Sequence, residues 1–414
     1  MELNSARGKI IFTVTGNIVE LYDYALFGLL STFIMREFFY LQNSWLNIFV
    51  SMLLVSVSHI VRPVGGLLNS WLSRYITHEK ILLSSTKVMI ISSFVIAIMP
   101  SSQSIGVLSS VAILLARVLQ GVSISGEFPA TLIILSGVKN KSRDILLGLS
   151  FVSGIFGMIL GHLTVFGLSN VLGEQLFSSW GWRLAFALGV LFGGGNLYLR
   201  KRYLTTVSRG VGRIDSLRVW RQIIPVFLIS GLSSALFYTQ FVYIPIIFKA
   251  KKLMPYNKLV FLLMISLMVY GASFVIYNYL YTKGKIKKYY DLFIVILLIF
   301  MYFKFYEVDW YFNNILIVSL MSSILISAVI SRVPSVLCGL FEEDKRGIYI
   351  GYNLGVSIFG SLTPFVLSFW SGNFKVLCSI YFMNCIILLL VFKAIDISKG
   401  CDYGFIRGKF ENSF

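Results

Sequence analysis

Several ionisable side chains of this 414-residue chain lie inside long apolar runs, and these are the residues that could do chemistry. A charge held at the middle of a bilayer costs at least ~2.5–3.5 kcal/mol. Each such group must therefore pair with another, carry a proton or meet a solute. The first apolar run contains Gly16-Asn17-Ile18-Val19-Glu20-Leu21-Tyr22-Asp23-Tyr24. At about 100° per residue, Glu20, Asp23, Tyr24 and Phe27 share one face of a helix. The two acids are either proton carriers or hydrated groups near a helix end. A later run reads Leu115-Ala116-Arg117-Val118-Leu119-Gln120-Gly121 and continues to Ser125-Gly126-Glu127. Gln120 falls about 60° and Glu127 about 80° from Arg117 around the helix, which makes one polar stripe. Arg117 there either holds a substrate carboxylate or is a structural partner for an acid of the first run. His59 and Arg62 stand just before Pro63, with Arg62 read as a buried structural or gating charge. Gly154, Gly157 and Gly161 share a face that lets another helix approach closely. His162 reads as a satisfied interior group, and Arg332 before Pro334 has no reading from its spacing.

Other chemistries are missing. No Walker A lysine motif, Gly-x-Ser-x-Gly elbow, His-Glu-x-x-His pair or Cys-x-x-Cys pair occurs. The three histidines and four cysteines lack metal-ligand spacing, so neither metal nor cofactor is expected. Cys338, Cys378, Cys385 and Cys401 read as reduced structural thiols. No segment could house nucleotide chemistry, so any active transport must draw on an ion gradient, and an enzyme is not expected.

Membrane-crossing helices are the elements that must position these groups. Hydrophobic residues make up 57% of the chain and charged ones 13%, and the mean hydropathy is +0.81. Soluble domains carry about a quarter charged residues. Apolar runs long enough to cross a bilayer fall near 10–34, 46–72, 81–100, 107–136, 145–170 and 183–199. They resume near 222–248, 257–281, 289–306, 311–337, 348–370 and 374–395. The runs are continuous rather than alternating, which excludes a β-barrel. The first is too long and too acidic for a cleaved signal peptide. If both termini are cytoplasmic, inner segments hold 24 of the 36 bases, outer segments seven, and the spans or their edges the other five. That is a positive-inside bias, so the net charge of +18 reports topology and no nucleic-acid partner is expected. The expected fold is an all-α integral membrane protein with twelve transmembrane helices and cytoplasmic N- and C-termini. Residues 1–199 would form one six-helix bundle, 200–221 a basic cytoplasmic linker, 222–396 a second bundle and 397–414 a cytoplasmic tail.

The same residues resemble the metabolite:proton symporter family of the major facilitator superfamily, which includes proline/betaine, shikimate, α-ketoglutarate and citrate carriers. Gly16-Asn17-x-x-Glu20-x-Tyr22-Asp23 is similar to that family's first-helix string, with Leu21 in place of tryptophan. Arg62-Pro63-Val64-Gly65-Gly66, Arg117-x-x-Gln120-Gly121 with Ser125-Gly126-Glu127, and Trp180-Gly181-Trp182-Arg183 extend the likeness. The second half resembles the family more thinly, through Tyr243-x-Pro245, Pro334, Arg346, Tyr352-Asn353 and Thr363-Pro364. One loop departs from the pattern. Between the second and third helices, Ser73 stands where superfamily members have a gating aspartate, Arg74 is kept, and Thr77 replaces the next arginine. The loop from Thr282 to Lys288 has also lost the pattern.

The resemblance implies two bundles that rock about a central site and take up a small carboxylate or zwitterion together with a proton. Asp23, then Glu20 and Glu127, are the candidate proton carriers. Arg117, Gln120, Tyr22, Tyr24, Tyr238 and Asn353 are the substrate-binding candidates, with the tyrosines suited to a quaternary ammonium. Arg62, Ser73, Arg74, Gly154, Gly157 and Gly161 are assigned gating or structural parts. The expected partners are the bilayer of a bacterial inner membrane, a small solute and a proton, for a monomer. An exporter of the same fold and a non-transporting receptor or decayed relative are the alternatives.

Overall fold

Apolar runs of membrane-crossing length become helices because a helix satisfies every backbone hydrogen bond within itself. The computed structural model describes residues 2–39, 44–138, 143–202, 216–243, 254–286, 289–306, 314–340, 345–361 and 383–395. Six long helices come from the first half: α1 (Glu2–Phe38), α2 (Ser44–Leu72), α3 (His78–Ile98), α4 (Val107–Ser136), α5 (Arg143–Leu176) and α6 (Trp182–Arg202), with one short turn of helix at Ser102–Ile105 before α4. The second half supplies α7 (Ser216–Tyr238), α8 (Tyr256–Thr282), α9 (Tyr290–Tyr306), α10 (Ile315–Ile330), α11 (Gly347–Gly355) and α12 (Met383–Ile395). A further turn, Val333–Gly339, extends α10, and π-helical turns follow α7 and α11. Seven described stretches are long and apolar enough to cross a membrane, and no strand occurs among the described residues. Most of the basic linker (203–215), Thr363-Pro364, Cys378, Cys401 and the tail lie outside the described residues.

Small residues set the closest approaches. A Cβ on Gly157 would run into the Ile18 carbonyl of α1, and one on Gly161 would meet Ala25. Gly154 packs on Leu21 of the same helix. The predicted glycine face of α5 is therefore the α1–α5 contact. Large apolar side chains such as Leu67, Trp71, Phe94, Leu115 and Leu191 point outward, as lipid-facing positions require.

Two seams join the halves. On one, α5 meets α8: Phe151 stacks on Phe274 with centroids 5.8 Å apart, and Gly148 faces Asn278. On the other, α2 and α4 meet α11. Gly66 of α2 lies against the Tyr349 carbonyl, where a side chain would not fit.

Candidate functional site

A cavity of about 130 Å³ lies between the halves. Glu20 and Tyr24 of α1, His59 and Arg62 of α2, and Phe237 and Tyr238 of α7 form much of its wall. Tyr24 and Tyr238 present their edges to the His59 ring at 5.1 and 5.3 Å. Arg62 Nη1 lies 3.4 Å from His59 Nδ1, and Tyr238 Oη lies 3.4 Å from Nε2. Because arginine can only donate, Nδ1 is the acceptor and Nε2 carries the hydrogen in the neutral ring. Arg62 Nε donates to Asn353 Oδ1 at 3.2 Å. Glu20 is buried, and its Oε2 meets no donor among the described residues. Among the described residues the cavity wall thus offers one guanidinium, one carboxyl group and several aromatic rings.

Asp23 and Arg117 belong to a second system beside this cavity, not on its wall. Arg117 donates from Nε to the Leu54 carbonyl (3.1 Å), from Nη1 to Gln120 Oε1 (2.7 Å) and from Nη2 to Ser58 Oγ (2.7 Å). Its guanidinium also lies 3.7 Å above the Phe27 ring. Gln120 passes the contact on by donating to Asp23. The face shared by Glu20, Asp23, Tyr24 and Phe27 is divided between two neighbours. Glu20 and Tyr24 reach the cavity, while Asp23 and Phe27 turn to α4. Tyr22 is off the cavity too, with its hydroxyl donating to the Ala185 carbonyl at 2.8 Å.

Glu127 stands apart from Arg117, about 15 Å along α4 at 1.5 Å per residue. It forms a two-pronged ion pair with Arg200 of α6, including Nη1 to Oε2 at 2.9 Å. Arg200 is fully buried and also donates to the carbonyls of Phe12 and Leu82, each at 3.0 Å, and to Thr86. Reading Arg200 as the first residue of a solvated linker missed this role. The pair presses directly on Gly16, where a Cβ would collide with both partners. Gly16 is the signal that could have revealed something large packed beneath the first helix.

Asn353 is not on the cavity wall but ties it to the α2–α4–α11 seam. Its Nδ2 donates to the carbonyls of Ser125 and Tyr349, both at 2.8 Å. Asn69 donates to Ser125 Oγ at 3.0 Å, and Ser357 donates to the His59 carbonyl. Farther along the seam, His78 Nδ1 lies 2.9 Å from Tyr349 Oη, with the rings stacked. Lys345 donates to Ser136 Oγ at 2.6 Å, and its partial burial lowers the ammonium pKa from the ordinary value. Ser73 is buried and spends its hydroxyl on the Ser70 carbonyl at 2.7 Å. Thr77 caps α3 by accepting from the Lys80 amide, and Arg74 is exposed. The altered loop therefore builds a helix cap and brings His78 onto Tyr349. His162 is satisfied by the Met158 carbonyl at 2.8 Å. Arg332 sits among Tyr281, Tyr290 and Phe392, within 4.8–5.6 Å of the ring centroids.

Comparison with known proteins fits this arrangement. The model of the sugar (and other) transporter family matches residues 9–201. The glycine betaine/proline/ectoine/pipecolic acid transporter OusA of Dickeya dadantii (strain 3937) is 31% identical over 195 residues, 47% of this chain and 39% of that protein. The alpha-ketoglutarate permease of Escherichia coli (strain K12) is 28% identical over 231 residues, 55% of this chain and 54% of that one. The chain thus spans about half or less of the length of these curated relatives. Among solved structures, the major facilitator proton:xylose symporter XylE bound to 6-bromo-6-deoxy-D-glucose superposes with a TM-score of 0.74. The match covers 94% of this chain and 95% of that one at 13% identity, which speaks to fold alone.

Proposed function

By fold this is a multi-pass membrane protein of the major facilitator type, and from that premise we propose that it carries a small zwitterion or carboxylate with a proton by alternating access. The observation that carries this reading is the cavity between the halves, with Arg62 and Glu20 on a wall of aromatic rings. Arg62 suits a solute carboxylate. Glu20, Tyr24, Tyr238 and Phe237 suit a cationic head through charge and cation–π attraction. One guanidinium beside one carboxyl group favours a zwitterion of the proline or betaine kind over a dicarboxylate, which would call for a second cation. The name of the OusA relative supports a zwitterion, while that of the alpha-ketoglutarate permease keeps a dicarboxylate as the alternative.

Glu20 is the acid best placed to carry the proton. Glu127 is held by Arg200, and Asp23 accepts from Gln120 through Oδ2 while its Oδ1, like Glu20 Oε2, meets no donor among the described residues; Glu20 alone of the three lies on the wall of the larger cavity. Arg117 then acts as a structural group beside the cavity. We place the protein in a bacterial inner membrane with both termini and the 200–221 segment facing the cytoplasm, on the strength of the basic-residue asymmetry.

Proteoliposomes given labelled glycine betaine, L-proline or 2-oxoglutarate test the assignment. Wild type should accumulate a zwitterion when the interior is made alkaline. Glu20→Gln should keep exchange between loaded vesicles and lose that accumulation. Arg62→Ala should lose both. Accumulation by Glu20→Gln, or uptake by Arg62→Ala at the wild-type rate, refutes the assignment.

A further inference from the structure

Glu20 borders a second, much smaller space besides the solute cavity. Its volume is about 10 Å³, and Gly16, Glu20, Thr86, Ser123, Glu127 and Asn196 contribute to its wall. About 10–15 Å³ is what a single water needs. Two lining residues that are 4% exposed each bear an acceptor that meets no donor among the described residues, Glu20 Oε2 and Asn196 Oδ1. The hydroxyls alongside are spent elsewhere: Ser123 donates to the Ser85 carbonyl at 2.6 Å and Thr86 to the Leu82 carbonyl at 2.9 Å. Arg200 is directed at Phe12, Leu82, Thr86 and Glu127.

We propose that this space is a binding site for one ordered water, which donates one hydrogen bond to Glu20 and one to Asn196. Water brings two donors to two acceptors that have none, and buried waters commonly satisfy such groups. A sodium ion would also seek carboxylate and amide oxygens. The Arg200 guanidinium, bound to the Glu127 and Thr86 of the same wall, disfavours a second cation. The charged groups that face Glu20 are Arg62 of α2, Glu127 of α4 and Arg200 of α6.

The inference rests on Glu20 as the proton carrier and adds how its anion is held. When the carboxylic proton leaves through the solute cavity, the water turns one O–H toward the new carboxylate and keeps both of its own protons. Glu20 then has a hydrogen-bond donor that does not depend on bound solute. Asn196 is a positioning residue, since it acts through the water.

The test uses Asn196→Leu, which fills the space, and Asn196→Ser, which leaves room for water. Asn196→Leu should lower accumulation of glycine betaine or L-proline on a pH gradient about tenfold, the scale of one hydrogen bond to a charged group. It should leave exchange at equal pH unchanged, and Asn196→Ser should behave as wild type. Acid-minus-neutral infrared difference spectra of wild type should show a water O–H band that shifts in H2(18)O and vanishes in Asn196→Leu. Absence of that band in wild type, or wild-type accumulation by Asn196→Leu, overturns the proposal. So does accumulation that depends on sodium rather than choline chloride, which would put a cation in the site. A wild-type isotope band beside a Glu20→Gln variant that still accumulates solute would instead leave the water in place and reject Glu20 as carrier.

Discussion

Replacing Arg200 by methionine should be among the most damaging single changes in the first half. The guanidinium is fully buried and is held by two carbonyls at 3.0 Å, by Thr86 and by both Glu127 oxygens. Methionine fills much of the volume but leaves the buried Glu127 carboxylate without its counter-ion. Breaking a buried pair on one side costs about 3–5 kcal/mol. Removing both charges, as in Arg200→Met with Glu127→Met, should recover most of that loss, because apolar replacements of a whole buried pair are often neutral or better. The coupling in the double-mutant cycle should then be about 2 kcal/mol or more. Cys338 and Cys385 are buried free thiols, so a thiol-reactive dye reports unfolding of the detergent-purified protein. Arg200→Met should lower the melting temperature by roughly 5 °C or more. Lys201→Met, at the exposed next position, supplies the control. Equal melting of Arg200→Met and Lys201→Met, or a double variant no better than the single, would show that the pair does not hold the bundle.

Two further changes probe the helix contacts. Gly157→Val should cost about 1–3 kcal/mol by forcing α5 off the Ile18 carbonyl, whereas Gly167→Val, with open space around it, should melt as wild type does. Equal melting of the two would refute the contact. Asn353→Ala removes the bridge between Arg62, Ser125 and Tyr349. A single cysteine at Ser233, in a background without the native cysteines, should then react faster with an impermeant maleimide in inside-out vesicles. His78→Phe, which keeps the ring stack on Tyr349, should do so less. Unchanged labelling in both would move the seal away from this seam.

Much of the architecture could be read from the residues because lipid imposes length: a helix without some twenty apolar residues cannot cross. The glycine spacing on α5 was legible for a similar reason, since only a missing side chain allows the approach to Ile18. The charged groups were harder. Arg200 lies in the run Arg200-Lys201-Arg202, and nothing in three consecutive bases says which turns inward. A shared helix face also promised more than it could deliver. In a bundle, one face touches two neighbours, so Glu20 meets the cavity while Asp23, less than a turn away, meets Gln120 of α4. The polar stripe on α4 likewise gives the angle of Glu127 and, by its ten-residue offset, its distance from Arg117, but not its partner Arg200 on α6. Gln120 standing between Arg117 and Asp23 depends on how deeply α1 and α4 interlock, which periodicity does not encode.

On the proposed reading Arg62 meets solute at the cavity wall and, through Asn353, joins the seam between α2, α4 and α11. A solute anion that draws its guanidinium toward the cavity competes with Asn353 for the same side chain. Binding and unsealing are then two uses of one limited set of donors, and linkage makes the competition reciprocal: whatever loosens Asn353 tightens the hold on the anion by the same factor. A difference of about 1–3 kcal/mol is the ordinary size of such a coupling, and it suffices to shift which end is open. Around Arg62 the seam partners Asn353, Ser125, Asn69, Tyr349 and the His78 ring bring hydroxyl, amide and imidazole groups. Exposed ion pairs weaken as salt rises, whereas buried contacts of this kind are screened far less. The balance between the two open forms should accordingly stay nearly constant across a wide range of ionic strength.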